Sequence, residues 1–129
     1  MSRKIPRAEW QVYFDRLAKI LEAKEAELEV ASLDLGAQIA AEWVPLIGIV
    51  YDPKGDLLEV ALEDFDHLIG QPQEIWVDED DLLLVGLEVI DAEGTQHILR
   101  LRTPLMLPSP RPEHSSGPRN MRGTPGGFE

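Results

Sequence analysis

The sequence predicts an α+β domain in which one N-terminal amphipathic helix packs on a curved antiparallel sheet of five to seven strands. Two turn motifs and a change in hydrophobic period indicate this fold. The turns, Asp52-Pro53-Lys54-Gly55 and Asp91-Ala92-Glu93-Gly94, each lie between segments rich in Val, Ile and Leu. Asp favours the first position of such a turn, and Gly supplies the positive φ that closes a bulged hairpin loop. The sequence does not distinguish between two forms of this sheet, a curved open sheet and a roll toward a partly closed barrel.

The predicted helix runs from Pro6 to about Lys24. Proline suits the first turn of a helix, where its missing N–H breaks no hydrogen bond. Apolar residues then recur at spacings of three and four, which defines one face of a helix. We interpret this face as core and not as an aromatic cofactor site. Its members are Trp10, Tyr13, Phe14, Leu17, Ile20 and Leu21.

The hydrophobic period then changes from 3.6 to 2, which predicts strands. Apolar residues alternate with Glu around Leu28 and Val30, and again from Leu58 to Leu62. Pro45 interrupts a long apolar segment that runs from residue 38 to residue 51. Because proline cannot donate to a sheet ladder, we expect a bulge, a break or an edge position there.

The second half of the chain predicts three more strands. Ile75–Val77 is short, whereas Leu82–Ile90 is nearly all apolar and is typical of a central strand covered on both faces. In the closing strand, His97–Thr103, the alternation places Leu99 and Leu101 inward. Arg100 and Arg102 are then expected on the outer face.

The chain divides into one domain, residues 1–107, and a C-terminal tail, residues 108–129. The tail contains five Pro and four Gly, with Met121 and Phe128 as its large apolar residues. Such a segment buries too little apolar surface to offset the loss of chain entropy on ordering. We therefore expect the tail to be disordered.

Composition narrows the classes of function. The formal net charge of −12 disfavours nucleic acid as a partner, because that binding depends on cationic side chains. No segment has the ~20 consecutive apolar residues of a membrane-spanning helix, so no membrane association is expected. The absence of cysteine excludes disulfides and thiolate metal sites. A cytoplasmic location is the expectation, and no cofactor is indicated.

The segment Asp64-Phe65-Asp66-His67 brings carboxylates and an imidazole together in sequence. Asp64, Asp66 and His67 are the candidate ligands of a divalent metal, and His67 could also act as a base. The alternative is a polar loop that leaves a strand and is anchored by apolar neighbours. No catalytic or cofactor-binding residue is indicated elsewhere.

Two features of the predicted outer face concern partners. Arg100 could bind an anion, but cross-strand pairing with Glu88 is the simpler interpretation. Because one helix covers only one face of a sheet, a second copy of the chain could cover the other face. Trp43 and Trp76 could anchor such a contact, so the sequence favours a homodimer.

Five segments carry a resemblance to a family. Residues 4–107 resemble a small bacterial family of unknown function, which implies a stand-alone soluble protein and assigns no activity, cofactor or catalytic residue. The segments are Ile5-Pro6-Arg7 with Trp10 and Phe14, Asp34–Gln38, Pro45–Ile49, Asp66–Ile69 with Pro72, and Leu99–Pro104.

The leading functional hypothesis is a non-enzymatic protein-binding or scaffold module. It depends on the acidity, on the β-strand edges of such a sheet and on the lack of a catalytic motif. The alternative is a small-molecule or divalent-metal-binding protein, with enzymatic activity not excluded, that uses the cluster from Asp64 to His67. A weaker alternative is a mimic of nucleic acid, because an acidic surface can occupy the groove of a basic protein.

Overall fold

A computed structural model describes residues 1–107, so the predicted disordered tail lies outside the described residues. One short helix and eight strands make up this part of the chain. A 3-10 turn, Arg7–Glu9, leads directly into the helix. The elements are β1 (Ser2–Lys4), α1 (Trp10–Ile20), β2 (Glu25–Ser32), β3 (Gly36–Asp52), β4 (Leu57–Leu62), β5 (Asp66–Gly70), β6 (Pro72–Asp80), β7 (Leu83–Asp91) and β8 (Gln96–Met106).

All eight strands form one antiparallel sheet in the order β1-β6-β7-β8-β2-β3-β4-β5. The sheet is not closed, and β1 and β5 are its edge strands. The prediction of one helix on an antiparallel sheet is confirmed, but the expected number of five to seven strands is wrong. The difference arises from β1, which has no buried residue, and from β5, where Ile69 alone is fully buried. Such short, exposed strands leave almost no period-2 signal.

Strand β3 gives the sheet its bend. Its first half pairs with β2 and its second half pairs with β4. Between the two halves, Trp43 adopts a positive φ of 54°, and register shifts occur on both sides of Pro45. The irregularity predicted at Pro45 is therefore confirmed, as a bulge that bends the strand.

A single residue connects β5, the last strand in the order, to β6, the second strand from the other end. Gln71, with a φ of 52°, is the whole connection between β5 and β6. Its N–H donates to the carbonyl of Asp56 at 2.8 Å, and Arg7 donates through Nη2 to the carbonyl of Pro72 at 2.9 Å. The sheet consequently curls, and we call its concave side the inner face and its convex side the outer face.

Helix α1 packs on the inner face and buries Trp10, Phe14 and Leu17. It ends at Ile20, and the predicted end near Lys24 is wrong. Leu21 already has an extended ψ of 134°, and the carbonyl of Lys24 accepts from the N–H of Leu46 at 2.9 Å. The first strand contact therefore takes this segment out of the helix.

Both predicted hairpin turns form, but they close in different ways. In each turn the Asp side chain accepts from the N–H two residues later, at 3.0 Å from Asp52 to Lys54 and at 2.9 Å from Asp91 to Glu93. Gly94 has the expected positive φ of 81°. In the first turn the positive φ of 48° falls on Asp56, so the expectation for Gly55 is wrong. Asp tolerates the left-handed region better than most residues do.

Strand β7 is central, as predicted, because it pairs with both β6 and β8. Leu84, Leu87 and Val89 are buried on its inner face. Val85 and Glu88 are only partly buried and line an open cavity on the outer face. The expectation of cover on both faces therefore holds for the inner face alone.

Candidate functional site

A chain of three polar side chains crosses the interior of the curled sheet. Nε2 of His97 lies 2.9 Å from Oδ2 of Asp91, and Nδ1 of His97 lies 2.9 Å from Nε2 of His67. His97 is 7% exposed and is the one buried polar residue of the core that the structure describes for residues 1–107. Buried polar groups of this kind normally need all their hydrogen bonds satisfied.

The second hairpin turn positions Asp91. Its Oδ1 accepts from the N–H groups of Glu93 and Thr95, at 2.9 and 3.1 Å, which leaves Oδ2 for His97. His97 is the second residue of β8 and pairs with Val89 of β7 and Val30 of β2. The alternation that buries Leu99 and Leu101 therefore turns His97 inward as well.

His67 reaches this pair from an edge of the sheet. It lies in the edge strand β5, pairs with Val60 of β4 and shares the inner face with the buried Ile69. Only the curl of the sheet brings β5 near β8, because three strands, β2, β3 and β4, lie between them in the strand order. The hydrogen bond between the histidines therefore ties the β5 edge to the β7–β8 hairpin.

Burial and hydrogen bonding shift the pKa values of two members of the chain. Burial acts to raise the pKa of Asp91, but the hydrogen bonds from His97, Thr95 and Glu93 outweigh it and lower this pKa below its usual value. Burial, followed by the proximity of His97, lowers the pKa of His67. At neutral pH Asp91 is therefore a carboxylate and His67 is a neutral imidazole.

The tautomer of His97 sets the direction of the hydrogen bonds. In the tautomer with the proton on Nε2, the Asp91 carboxylate accepts from Nε2–H of His97, and Nδ1 of His97 accepts from Nε2–H of His67. The free lone pair of the chain is then on Nδ1 of His67, which can accept a hydrogen bond or a proton. Hydrogen bonds in such a chain polarise and strengthen one another, and the chain stabilises the fold when every buried polar group in it has a hydrogen-bond partner.

The sequence singles out His67 but not the other two members of the polar chain. It identifies Asp91 only as a turn residue, although the alternation around Leu99 already places His97 on the inner face. Nothing local indicated that His67 and His97, thirty residues apart, would meet.

The structure separates the three candidate metal ligands. Asp64 and Asp66 are exposed, whereas His67 turns inward and its Nε2 is occupied by His97. Within residues 1–107, no group of three or more His, Asp or Glu side chains is arranged to hold a metal ion. The carboxylate of Asp66 instead adjoins Glu59, where the side-chain hydrogen bond and the repulsion between the two raise the pKa of Glu59.

The outer face of β3, β4 and β5 presents a second feature, the β5 patch, formed by Val50, Glu59, Ala61, Asp66 and Leu68. Two cross-strand rows define it. Val50, Glu59 and Leu68 are direct neighbours, and Ala61 lies between Gly48 and Asp66 in the next row. Val50 is 49% exposed and Leu68 is 56% exposed. Leu68 lies on the open edge strand itself, where an exposed apolar side chain can serve as a contact for another chain.

The acidic residues of the sheet fall into two groups. On β2, Glu25, Glu27 and Glu29 form ion pairs of 3.1 Å with Arg100 and Arg102. Among the described residues, Glu59 and Asp66 of the β5 patch have no cation within 4.0 Å. The β5 patch therefore combines exposed apolar area with unneutralised negative charge.

The fold and these two features define a β-rich α+β protein that carries an internal polar chain and an exposed apolar edge. By sequence, the chain belongs to the family of unknown function DUF5335, whose model matches residues 1–110. The resemblance expected from the sequence is thereby confirmed. No helix within residues 1–107 is long and apolar enough to cross a membrane.

One relative is similar over nearly its whole length. A protein of Aquifex aeolicus described as "Uncharacterized protein" is 44% identical over 108 residues, which cover 83% of this chain and 97% of the relative. No solved structure matches this chain. Neither comparison assigns an activity, so the function is argued from the geometry.

Proposed function

We propose that this protein is a non-enzymatic protein-binding module that adds an extended segment of a partner protein to the open edge of β5. The row formed by Val50, Glu59 and Leu68 carries the proposal, because it places exposed apolar side chains beside a strand with one free edge. An added strand would pair with the backbone of β5 and cover Leu68.

The two edges of the sheet differ in a way that favours β5. Strand β1 is three residues long and carries Arg3 and Lys4, which form ion pairs with Glu79 and Glu74 of its neighbour β6. Short length and charge are the usual means by which proteins protect an edge from pairing. Strand β5 instead exposes Leu68 at its centre.

The charges of the β5 patch indicate the chemistry of the partner. Asp66 and Leu68 are two residues apart and both face outward. Alternate residues of an added strand also share one face, so a cation and an apolar side chain spaced by two would meet Asp66 and Leu68. The partner expected is therefore an extended segment in which Lys or Arg alternates with Val, Ile or Leu.

Nuclear magnetic resonance with a defined peptide tests this proposal. The probe is a synthetic peptide of about ten residues in which Arg or Lys alternates with Val, titrated into the ¹⁵N-labelled full chain. We expect saturable shifts at the backbone amides of residues 66–70, with a dissociation constant below about 1 mM. A peptide with Glu in place of every cation should not bind.

Two matched variants locate the contact. Leu68→Ser should weaken peptide binding about tenfold, the effect of losing ~1.4 kcal/mol of apolar contact. Ile39→Ser should leave binding unchanged, because Ile39 is similarly exposed, at 52%, but lies where β3 pairs with β2. Equal effects of the two substitutions, or equal binding of the acidic peptide, would contradict the proposal.

A second copy of the chain is the competing occupant of the edge. Sedimentation equilibrium of the full chain in physiological salt distinguishes the two, because a homodimer at β5 would dissociate in Leu68→Ser but not in Ile39→Ser. A dimer that dissociates in Leu68→Ser but not in Ile39→Ser would show that a second copy of the chain, and not a partner segment, occupies the β5 edge. A dimer insensitive to both substitutions would instead agree with an anchor at Trp43 or Trp76.

A further inference from the structure

A cavity of about 230 Å³ opens on the outer face of β6, β7 and β8. Gly86 creates it. This residue lies at a register shift of β7, between Asp78 of β6 and Arg100 of β8, where every other residue type would place a side chain. A Cβ at Gly86 would lie 2.5 Å from the carbonyl oxygen of Leu99, so the backbones are too close for any side chain. We call the cavity above this close contact the Gly86 notch.

Trp76 and Glu88 form the adjoining wall of the Gly86 notch. They are direct cross-strand neighbours, and both line the cavity. The indole Nε1–H of Trp76 donates to Oε1 of Glu74 at 3.0 Å, which fixes the orientation of the ring. Ile98 is the cross-strand neighbour of Glu88 on the other side and adds an apolar wall.

Glu88 has no cation within 4.0 Å among residues 1–107. The cationic side chain of the notch, Arg100, was expected to pair with Glu88, and that expectation is wrong. Nη1 of Arg100 instead lies 3.1 Å from both Glu27 and Glu29 of β2. A half-buried carboxylate beside an aromatic ring therefore keeps its hydrogen-bonding capacity.

We infer that the Gly86 notch binds the guanidinium group of an arginine side chain from a protein partner. A carboxylate accepts charge-assisted hydrogen bonds from a guanidinium, and an indole face attracts the same cation. Pockets for drug-sized ligands and cofactors have volumes of about 300 Å³ or more, so the notch suits a single side chain better. This site lies on other strands than the β5 patch and stands independently of the proposed function.

A capped amino acid tests the notch without a known partner. The probe is N-acetyl-arginine methylamide, titrated into the ¹⁵N-labelled full chain while the indole Nε1–H resonance of Trp76 is followed. We expect a saturable shift with a dissociation constant of about 1–10 mM, as one cation–π contact and one charge-assisted pair allow. N-acetyl-citrulline methylamide has nearly the same shape without the charge and should bind about tenfold more weakly.

Two variants and a control distinguish specific binding in the Gly86 notch from nonspecific electrostatic attraction of arginine to an acidic protein. Glu88→Gln should weaken arginine binding about fivefold or more, whereas Glu42→Gln removes the same charge from an exposed position of β3 and should have no effect. Trp76→Leu, followed at the amide of Glu88, should weaken arginine binding about threefold. This second variant tests the notch even if Glu88→Gln perturbs the strand. Equal weakening by Glu88→Gln and Glu42→Gln would overturn the inference, as would a Trp76 resonance that does not move.

Discussion

Replacement of His97 should destabilise the protein far more than replacement of His67. His97 is 7% exposed and makes two hydrogen bonds of 2.9 Å, one of them to a carboxylate. A hydrogen bond to a charged group contributes about 1.5–3 kcal/mol, and a neutral one contributes about 1 kcal/mol. With the lost packing of the imidazole, His97→Ala should lower the free energy of unfolding by about 3–5 kcal/mol.

His67→Ala should lower the free energy of unfolding by less than His97→Ala does. His67 is half-buried and makes one hydrogen bond to His97, so the expected loss is about 1–2 kcal/mol. His97→Gln provides a milder variant that still folds if His97→Ala does not, because its amide keeps one donor and one acceptor near Asp91 and His67. Its loss should fall between those of the two alanine variants.

Urea unfolding at pH 7.5, followed by tryptophan fluorescence, measures these differences. The double variant His67→Ala/His97→Ala should be less destabilised than the sum of the single variants by about 1 kcal/mol, because the hydrogen bond between them is counted in both. Losses of similar size for His97→Ala and His67→Ala, with no coupling between them, would refute the polar chain as described.

Three further outcomes follow from the same structure. Because folding lowers the pKa of His67, the unfolded chain binds protons more readily, so the stability that His67 contributes should be complete above pH 6.5 and fall as the pH drops below it. Urea unfolding at pH 7.5 and 5.5 checks this, and His67→Gln should reduce the difference in stability between the two pH values. The low pKa of Asp91 adds a loss of the same sign in more acidic solution. Added Zn²⁺ or Mn²⁺ should leave the melting temperature unchanged, whereas a concentration-dependent rise that His67→Ala abolishes would establish the predicted metal site. Gly86→Ala should lower the free energy of unfolding by about 2 kcal/mol or more in the same urea assay, because the added Cβ would lie 2.5 Å from the carbonyl oxygen of Leu99. An unchanged stability would show that β7 and β8 can move apart at this point.

Local signals predicted the local parts of this fold. Both Asp-x-x-Gly turns form, and the alternation from His97 to Thr103 gave the correct faces of β8. The same reasoning failed where a contact between distant strands decides the structure. The helix stops at Ile20 because the next residues enter the sheet, and β5 forms although its sequence predicted a loop.

The candidate site was predictable only in part, for a related reason. His67 was identified from its acidic neighbours, yet those neighbours face outward and its actual partner, His97, comes from β8. A strand alternates its faces at every residue, so residues adjacent in sequence are poor candidates for one site.

The polar chain and the β5 patch are connected through the anchoring of one strand. β5 buries a single apolar side chain fully, that of Ile69, and its other inward residue is His67. Strands with so little buried apolar area open locally at low free energy, so the hydrogen bond between His67 and His97 adds to the pairing with β4 that holds β5 in the sheet. A docking edge must be rigid, because ordering it upon binding would subtract from the affinity. Under the proposed function, the buried polar chain therefore acts on the opposite face of β5, because it keeps Leu68 and Asp66 in place for the partner segment.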